Sequence, residues 1–111
     1  TAFECVHDMP QPVDVLASVH AALAPGASMV VMDEAVSDRF DGPADEVDRL
    51  MYGFSMFVCL PDGMSVQPSA ATGTVMRPDT LARYARDAGY RSAATLPIDD
   101  FAFFRFYELA T

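Results

Sequence analysis

The strongest constraint on how this chain can fold is an almost unbroken apolar run, Ala27 to Met32, that stops abruptly at Asp33-Glu34. It lacks the alternation of a half-exposed strand and fits one buried on both faces, as in a parallel sheet. A second apolar stretch, residues 1–6, lies upstream and reads as a short buried strand. Between the two, Val13, Leu16, Ala17, His20, Leu23 and Ala24 recur at three and four positions. That is the spacing of an amphipathic helix, and Pro25-Gly26 closes it. Strand, helix and strand in this order form a βαβ unit, whose crossover is right-handed. The two strands are then parallel and end on the same edge of the sheet. His7-Asp8 follow the first end and Asp33-Glu34 the second. Open α/β sheets bind ligands at that edge.

The rest of the chain continues the α/β pattern. After a polar loop over residues 37–44, a helix starts near Asp45 and carries Val47, Leu50, Met51, Phe54, Phe57 and Val58 on one face. Pro61-Asp62-Gly63 stops it in this reading. The loop over residues 64–76, with Ser69, Thr72 and Thr74, is longer than a tight domain needs. Such loops often serve as lids. Pro78 then occupies a favoured first helical position, Leu81, Tyr84, Ala85 and Ala88 form an apolar stripe, and Gly89 ends the helix. Two strands close the chain, Ser92 to Leu96 and Phe101 to Leu109, joined by Pro97-Ile98-Asp99-Asp100. So tight a connection implies an antiparallel pair.

Composition narrows the functional classes. The 111 residues allow one domain, on a prior of roughly 150 residues per domain. With 51% hydrophobic residues the chain is too apolar to be a disordered acidic tail. Seven Lys and Arg against sixteen Asp and Glu give a net charge of −9. No basic cluster exists to bind a phosphate backbone, so nucleic acid is not the expected partner. The longest greasy stretch, Leu50 to Leu60, is about half the roughly 20 residues a membrane span needs. No basic segment precedes a greasy core, so no secretory signal is expected. Cys5 and Cys59 lack metal-ligand spacing and read as reduced thiols of a cytoplasmic protein. A strand beginning at Thr1 suggests part of a longer protein.

Taken in order, several segments resemble class I S-adenosylmethionine-dependent methyltransferases. They are Phe3-Glu4-Cys5-Val6-His7-Asp8-Met9, the helix ending Leu23-Ala24-Pro25-Gly26, and Met29-Val30-Val31-Met32-Asp33-Glu34. Arg77-Pro78-Asp79-Thr80-Leu81 through Ala88-Gly89-Tyr90, then Phe104-Arg105-Phe106-Tyr107-Glu108-Leu109, continue the match. The resemblance covers essentially the whole chain and runs from the family's fourth strand to its seventh. It implies half of a Rossmann-like sheet, with an antiparallel last strand inserted beside the fifth and helices flanking the sheet. Residues 1–111 would then be the carboxy-terminal part of one catalytic domain, without its amino-terminal cofactor-binding half. The family holds its cofactor, S-adenosylmethionine, mainly on a glycine-rich turn after the first strand. Here Gly26, Gly42, Gly53, Gly63, Gly73 and Gly89 are far apart and no G-x-G occurs. The expectation is an enzyme as the longer parent and an inactive, self-associating piece when alone.

The resemblance also suggests roles. His7-Asp8 resembles the His-Asp pair of plant-type small-molecule O-methyltransferases, in which the histidine is the base. Glu34 matches the acidic residue that steadies it. A carboxylate on one ring nitrogen fixes the tautomer and raises basicity at the other. Contact with substrate or cofactor, or plain packing, stays open for His7. Phe3 and Glu4, at the first strand's end, match positions that touch the cofactor; burial within the sheet edge is the alternative. Asp8 is a substrate contact, a helix cap or a brace for the Pro10–Pro12 loop. The Met- and Phe-rich helix reads mostly as core, with Tyr52 and Met56 as the expected acceptor-pocket members. His20 reads as a core histidine. Asp33 and Glu34 raise a metal question, but no dedicated site is expected. The expected partner is a small hydroxylated or aromatic methyl acceptor. The rival reading is a non-catalytic remnant used as an interaction or dimerisation module.

Overall fold

A computed structural model describes all 111 residues. Pairing starts with β1 (Ala2–Phe3), which lies parallel to β2 (Ser28–Glu34), with Ala2 opposite Val31 and Phe3 opposite Met32. Helix α1 (Pro12–Ala22) makes the crossover, with proline in its first turn where a missing N–H costs nothing. The tail supplies β3 (Ser92–Thr95) and β4 (Phe104–Ala110), which are antiparallel to each other. β4 also runs antiparallel to the whole of β2, from Ser28 opposite Ala110 to Glu34 opposite Phe104. The sheet order is therefore β1-β2-β4-β3, with the last strand between the second and third. This is a mixed, four-stranded α/β sheet with three helices of nine to eleven residues.

Side chains alternate across a strand, and the two faces of β2 meet different surroundings. Met29 and Val31 point with Tyr107 and Leu109 into the core, against Leu16 of α1 and Leu81, Tyr84 and Ala85 of α4 (Pro78–Asp87). Burying one such aliphatic side chain contributes about 1.5–3 kcal/mol. His20 packs edge-on against Tyr90 at the margin of this layer, 4.9 Å between ring centroids. On the opposite face Phe3, Phe101 and Phe106 form an edge-to-face aromatic row, and Phe3 is 52% exposed. No helix is long and apolar enough to cross a membrane.

Four expectations need correction. The first strand does not extend over residues 1–6. Glu4 adopts φ +48°, a left-handed conformation that breaks the extended chain, and a 3₁₀ turn follows at Val6–Asp8. Second, Pro61 does not stop the helix that begins near Asp45. α2 (Glu46–Phe54) is capped by the Asp45 carboxylate, which accepts from the Asp48 N–H at 2.8 Å. It runs into a π-turn at Ser55–Cys59 and then α3 (Leu60–Gly63). Pro61 sits in the first turn of α3, so its absent N–H breaks no regular ladder. Third, the apolar face of this segment is mostly not core: Leu50, Phe54, Phe57 and Val58 are exposed and only Met51 is buried. β4 also starts later than expected, at Phe104, because residues 101–103 form a turn closed by the Phe104 N–H on the Phe101 carbonyl.

Candidate active site

The turn after β1 carries His7 across the end of β2. The Glu4 N–H donates to the Met32 carbonyl at 2.9 Å, completing the parallel pairing, and the chain then coils into the 3₁₀ turn. His7 is left 3% exposed. Its Nδ1 donates to Asp33 Oδ1 at 2.6 Å and lies 3.3 Å from Glu34 Oε2. Its Nε2 lies 3.3 Å from Asp8 Oδ1. Neighbours on a strand normally point to opposite faces. Asp33 and Glu34 both reach His7 because they end β2, where the ring covers the edge.

The sequence reading chose Glu34 as the residue that steadies His7; the structure gives the shorter contact to Asp33. The correction has a local cause. Asp33 lies on the packed face, fully buried beside Val31, and its Oδ1 also accepts the Glu34 N–H at 3.2 Å. Burial alone would lower the pKa of His7. The hydrogen bond and charge of Asp33, with Glu34 and Asp8 adding to it, instead raise it to about 9. At neutral pH the ring is thus an imidazolium and already holds the proton a base would take. Glu34 is pushed up to about 8, first by burial and then by Asp33. Shifts of this kind occur at active sites and in structural ion-pair clusters alike.

Beside this cluster is a cavity of about 190 Å³ lined by Glu4, Glu34, Met51, Phe54, Cys59, Thr74 and Phe103. The loop over 64–76 builds one wall and is stapled in place. The Ala70 N–H donates to the Pro10 carbonyl at 2.7 Å, and the Gly73 N–H donates to the His7 carbonyl at 3.1 Å. Gly73 has φ +70°, and a β-carbon there would collide with the Ser55 hydroxyl, so only glycine allows this approach. Ser69 donates to the Gly63 carbonyl and Thr72 bonds the Tyr84 hydroxyl, both at 2.8 Å. These two order the loop. Thr74 alone of the three faces the cavity.

The remaining expected residues separate. Glu4 is exposed and lines the cavity, whereas Phe3 lies on the aromatic row outside it. Asp8 is bound up with His7. Tyr52 and Met56 are not in this cavity. They line another groove of about 310 Å³ with Ser55, Leu60, Thr72, Val75 and Arg77, and Arg77 donates to the Tyr52 hydroxyl at 2.9 Å. Met51 and Phe54, one helical face away, take the place expected of them. Both pairs have helical spacing, so sequence periodicity could not choose between them.

Metal-ligand atoms gather on both sides of the ring. His7, Asp33 and Glu34 form one set, and His7, Asp8 and Cys59 another, each with donor atoms within 4.8 Å. The first set already uses Nδ1 in its bond to Asp33. Burial pushes the Cys59 thiol up, away from the thiolate a metal requires. S-adenosylmethionine finds less here: Phe3 and Glu4 are open, and no glycine-rich turn lets backbone close on a nucleoside. These residues do not by themselves fit that group. No protein-family model matches the chain, and no curated protein matches it.

Proposed function

We propose that this chain is the carboxy-terminal half of a class I S-adenosylmethionine-dependent methyltransferase acting on a small hydroxylated or aromatic molecule. The observation that carries the reading is the buried His7–Asp33–Glu34 cluster at the shared carboxyl edge of two parallel strands. Such an edge is where α/β sheets work, and the cluster holds groups that can move a proton there. The strand order, with an antiparallel last strand between β2 and β3, agrees with the Rossmann-like half that the sequence resemblance implies. The His7 imidazolium holds its charge beside Glu34, which faces the acceptor's proton, and the upstream half supplies most of the cofactor site. The free Cys5 and Cys59 fit a reducing, cytoplasmic setting.

The test uses the longer parent and S-adenosylmethionine labelled in its methyl group. Transfer to small phenols is expected, and His7→Gln should lower kcat and shift its pH profile, because it removes the charge that tunes Glu34. Unchanged turnover in that variant, with no loss of fold, would return His7 to packing. The isolated 111 residues should show little cofactor affinity by calorimetry. A second reading, an interaction module, has one observation in its favour. Leu50, Gly53, Phe54, Phe57 and Val58 line an exposed groove of about 280 Å³. It predicts a parent that transfers no methyl group to any acceptor.

A further inference from the structure

We propose that the cavity beside Met51 receives a single hydroxylated ring and that Glu34, not His7, is the residue that meets the hydroxyl. The binding half of this inference stands alone; the catalytic half rests on the methyltransferase reading.

The lining separates the two residues. Glu34 is part of the cavity wall, whereas His7 is absent from it and lies behind, with its nitrogens turned to Asp33, Glu34 and Asp8. An acceptor in the cavity therefore reaches Glu34 first. One buried oxygen on this wall has no hydrogen-bond partner, the Thr74 hydroxyl, on a residue 2% exposed; Glu34 Oε2 is turned to His7 Nδ1 at 3.3 Å. Buried polar groups in folded proteins are nearly always paired. The Thr74 hydroxyl makes no hydrogen bond with His7, Asp33 or Glu34, has the Cys59 thiol beside it, and points to a ligand that brings a polar group. The opposite walls, Met51, Phe54 and Phe103, are apolar and suit a ring face or edge.

Size limits the ligand. A dry cavity of about 150 Å³ holds a benzene ring, whereas drug-sized ligands occupy roughly 300 Å³ or more. About 190 Å³ admits one ring with a small substituent. With a hydroxyl placed between Thr74 and Glu34, the O–H bond breaks, the proton passes to the Glu34 carboxylate, and the electron pair stays on the acceptor oxygen. With its pKa raised to about 8, Glu34 takes the proton in its ionised form, so transfer should grow as pH rises through about 8. His7 is then a positioning residue: its positive charge, held by Asp33, sets how readily Glu34 takes up the proton.

Phenol, toluene and 1-naphthol are the probes, titrated into the chain and followed by NMR. Phenol should shift Thr74 and Phe103 and bind at least tenfold more tightly than toluene, since a site built for a hydroxyl rejects the analogue lacking it. Thr74→Val should weaken phenol at least fivefold, and Met56→Ala, in the other groove, should leave it unchanged. The Glu34 carboxyl carbon should move on binding while the His7 ring nitrogens hold still, a readout that needs no variant. Equal affinity for toluene, shifts confined to Tyr52 and Met56, or movement of the His7 nitrogens without Glu34 would each overturn the assignment. Tight binding of 1-naphthol would overturn the size limit. In the parent, Glu34→Gln should cut kcat at least a hundredfold with KM little changed and remove one limb of the pH profile. Methyl transfer at full rate in that variant overturns this inference and leaves the methyltransferase reading intact. Phenol binding as described in a parent that transfers no methyl group does the reverse.

Discussion

The two faces of the sheet use similar residues to different ends. On one face Met29, Val31 and Leu109 are sealed beneath α1 and α4. On the other, Phe3, Phe101 and Phe103 are exposed, and so are Phe54, Phe57 and Val58 of the neighbouring helical arm. Apolar character alone therefore does not decide burial; the presence of a covering element does. The same asymmetry divides the two acids that end β2. Asp33 belongs to the sealed face and binds His7 tightly, while Glu34 belongs to the open one and lines a cavity. A single residue step along a strand separates a fixed partner from a group able to meet a ligand.

The largest expected effect tests the link between the faces. His7→Leu removes the cation facing Asp33 and leaves a buried carboxyl without its partner. Removing one member of a buried pair costs about 3–5 kcal/mol, read as a lower urea midpoint. A loss below about 1 kcal/mol would mean that Asp33 is solvated and the sealed face is not sealed there. Next comes the core itself: Leu16→Ala or Leu81→Ala should each cost about 2–5 kcal/mol. Both side chains are fully buried against the sheet.

A separate effect follows from pH. His7 is raised from 6.5 to about 9 and Glu34 from 4.5 to about 8, so the native state holds more protons than the unfolded chain across this window. Stability must then fall as pH rises. The contribution of His7 is complete below 6.5 and disappears as pH passes 9; the cost of ionising Glu34 builds from 4.5 and levels off above 8. Tm should decline from pH 5.5 to pH 9.5, and Glu34→Gln should flatten the lower part of that decline. A Tm that rises through this window would contradict the charge arrangement of the cluster.

What the sequence could show divides along the same line. The βαβ unit, the start of α4 at Pro78 and the antiparallel tail were legible because each depends on local pattern and punctuation. The left-handed Glu4 was not, since apolar alternation says nothing of a φ reversal made at a strand end. Nor was the path through Pro61, because a π-turn has no residue signature. The polar pairs His7-Asp8 and Asp33-Glu34 could be placed at one edge from topology. Which acid bonds the ring, and whether Met51 or Tyr52 faces it, depends on rotations of about 100° per residue along a helix and 180° along a strand, fixed only by tertiary packing. Thr74 stood out only as one of three loop hydroxyls with Ser69 and Thr72, any of which could order the lid or touch a ligand. Its position depends on Gly73, whose need to be glycine comes from Ser55, far away in sequence.

The smallest expected change in stability sits on the open side. Phe57 is 77% exposed and belongs to the arm whose groove also includes Leu50, Phe54 and Val58. Substitutions at such surface positions usually stay within about 0.5 kcal/mol, so Phe57→Ser should leave the urea midpoint almost unmoved. Its effect should appear in association instead. Contiguous exposed apolar groups mark interaction surfaces, and β1 adds a short free edge on the same sheet. The unsubstituted chain is expected to self-associate in sedimentation velocity, and Phe57→Ser to shift it toward the 12.0 kDa monomer. If the arm drives association, the shift exceeds that of Phe3→Ser, which alters the aromatic row beside the edge. A larger shift from Phe3→Ser would move the contact to the β1 edge of the sheet.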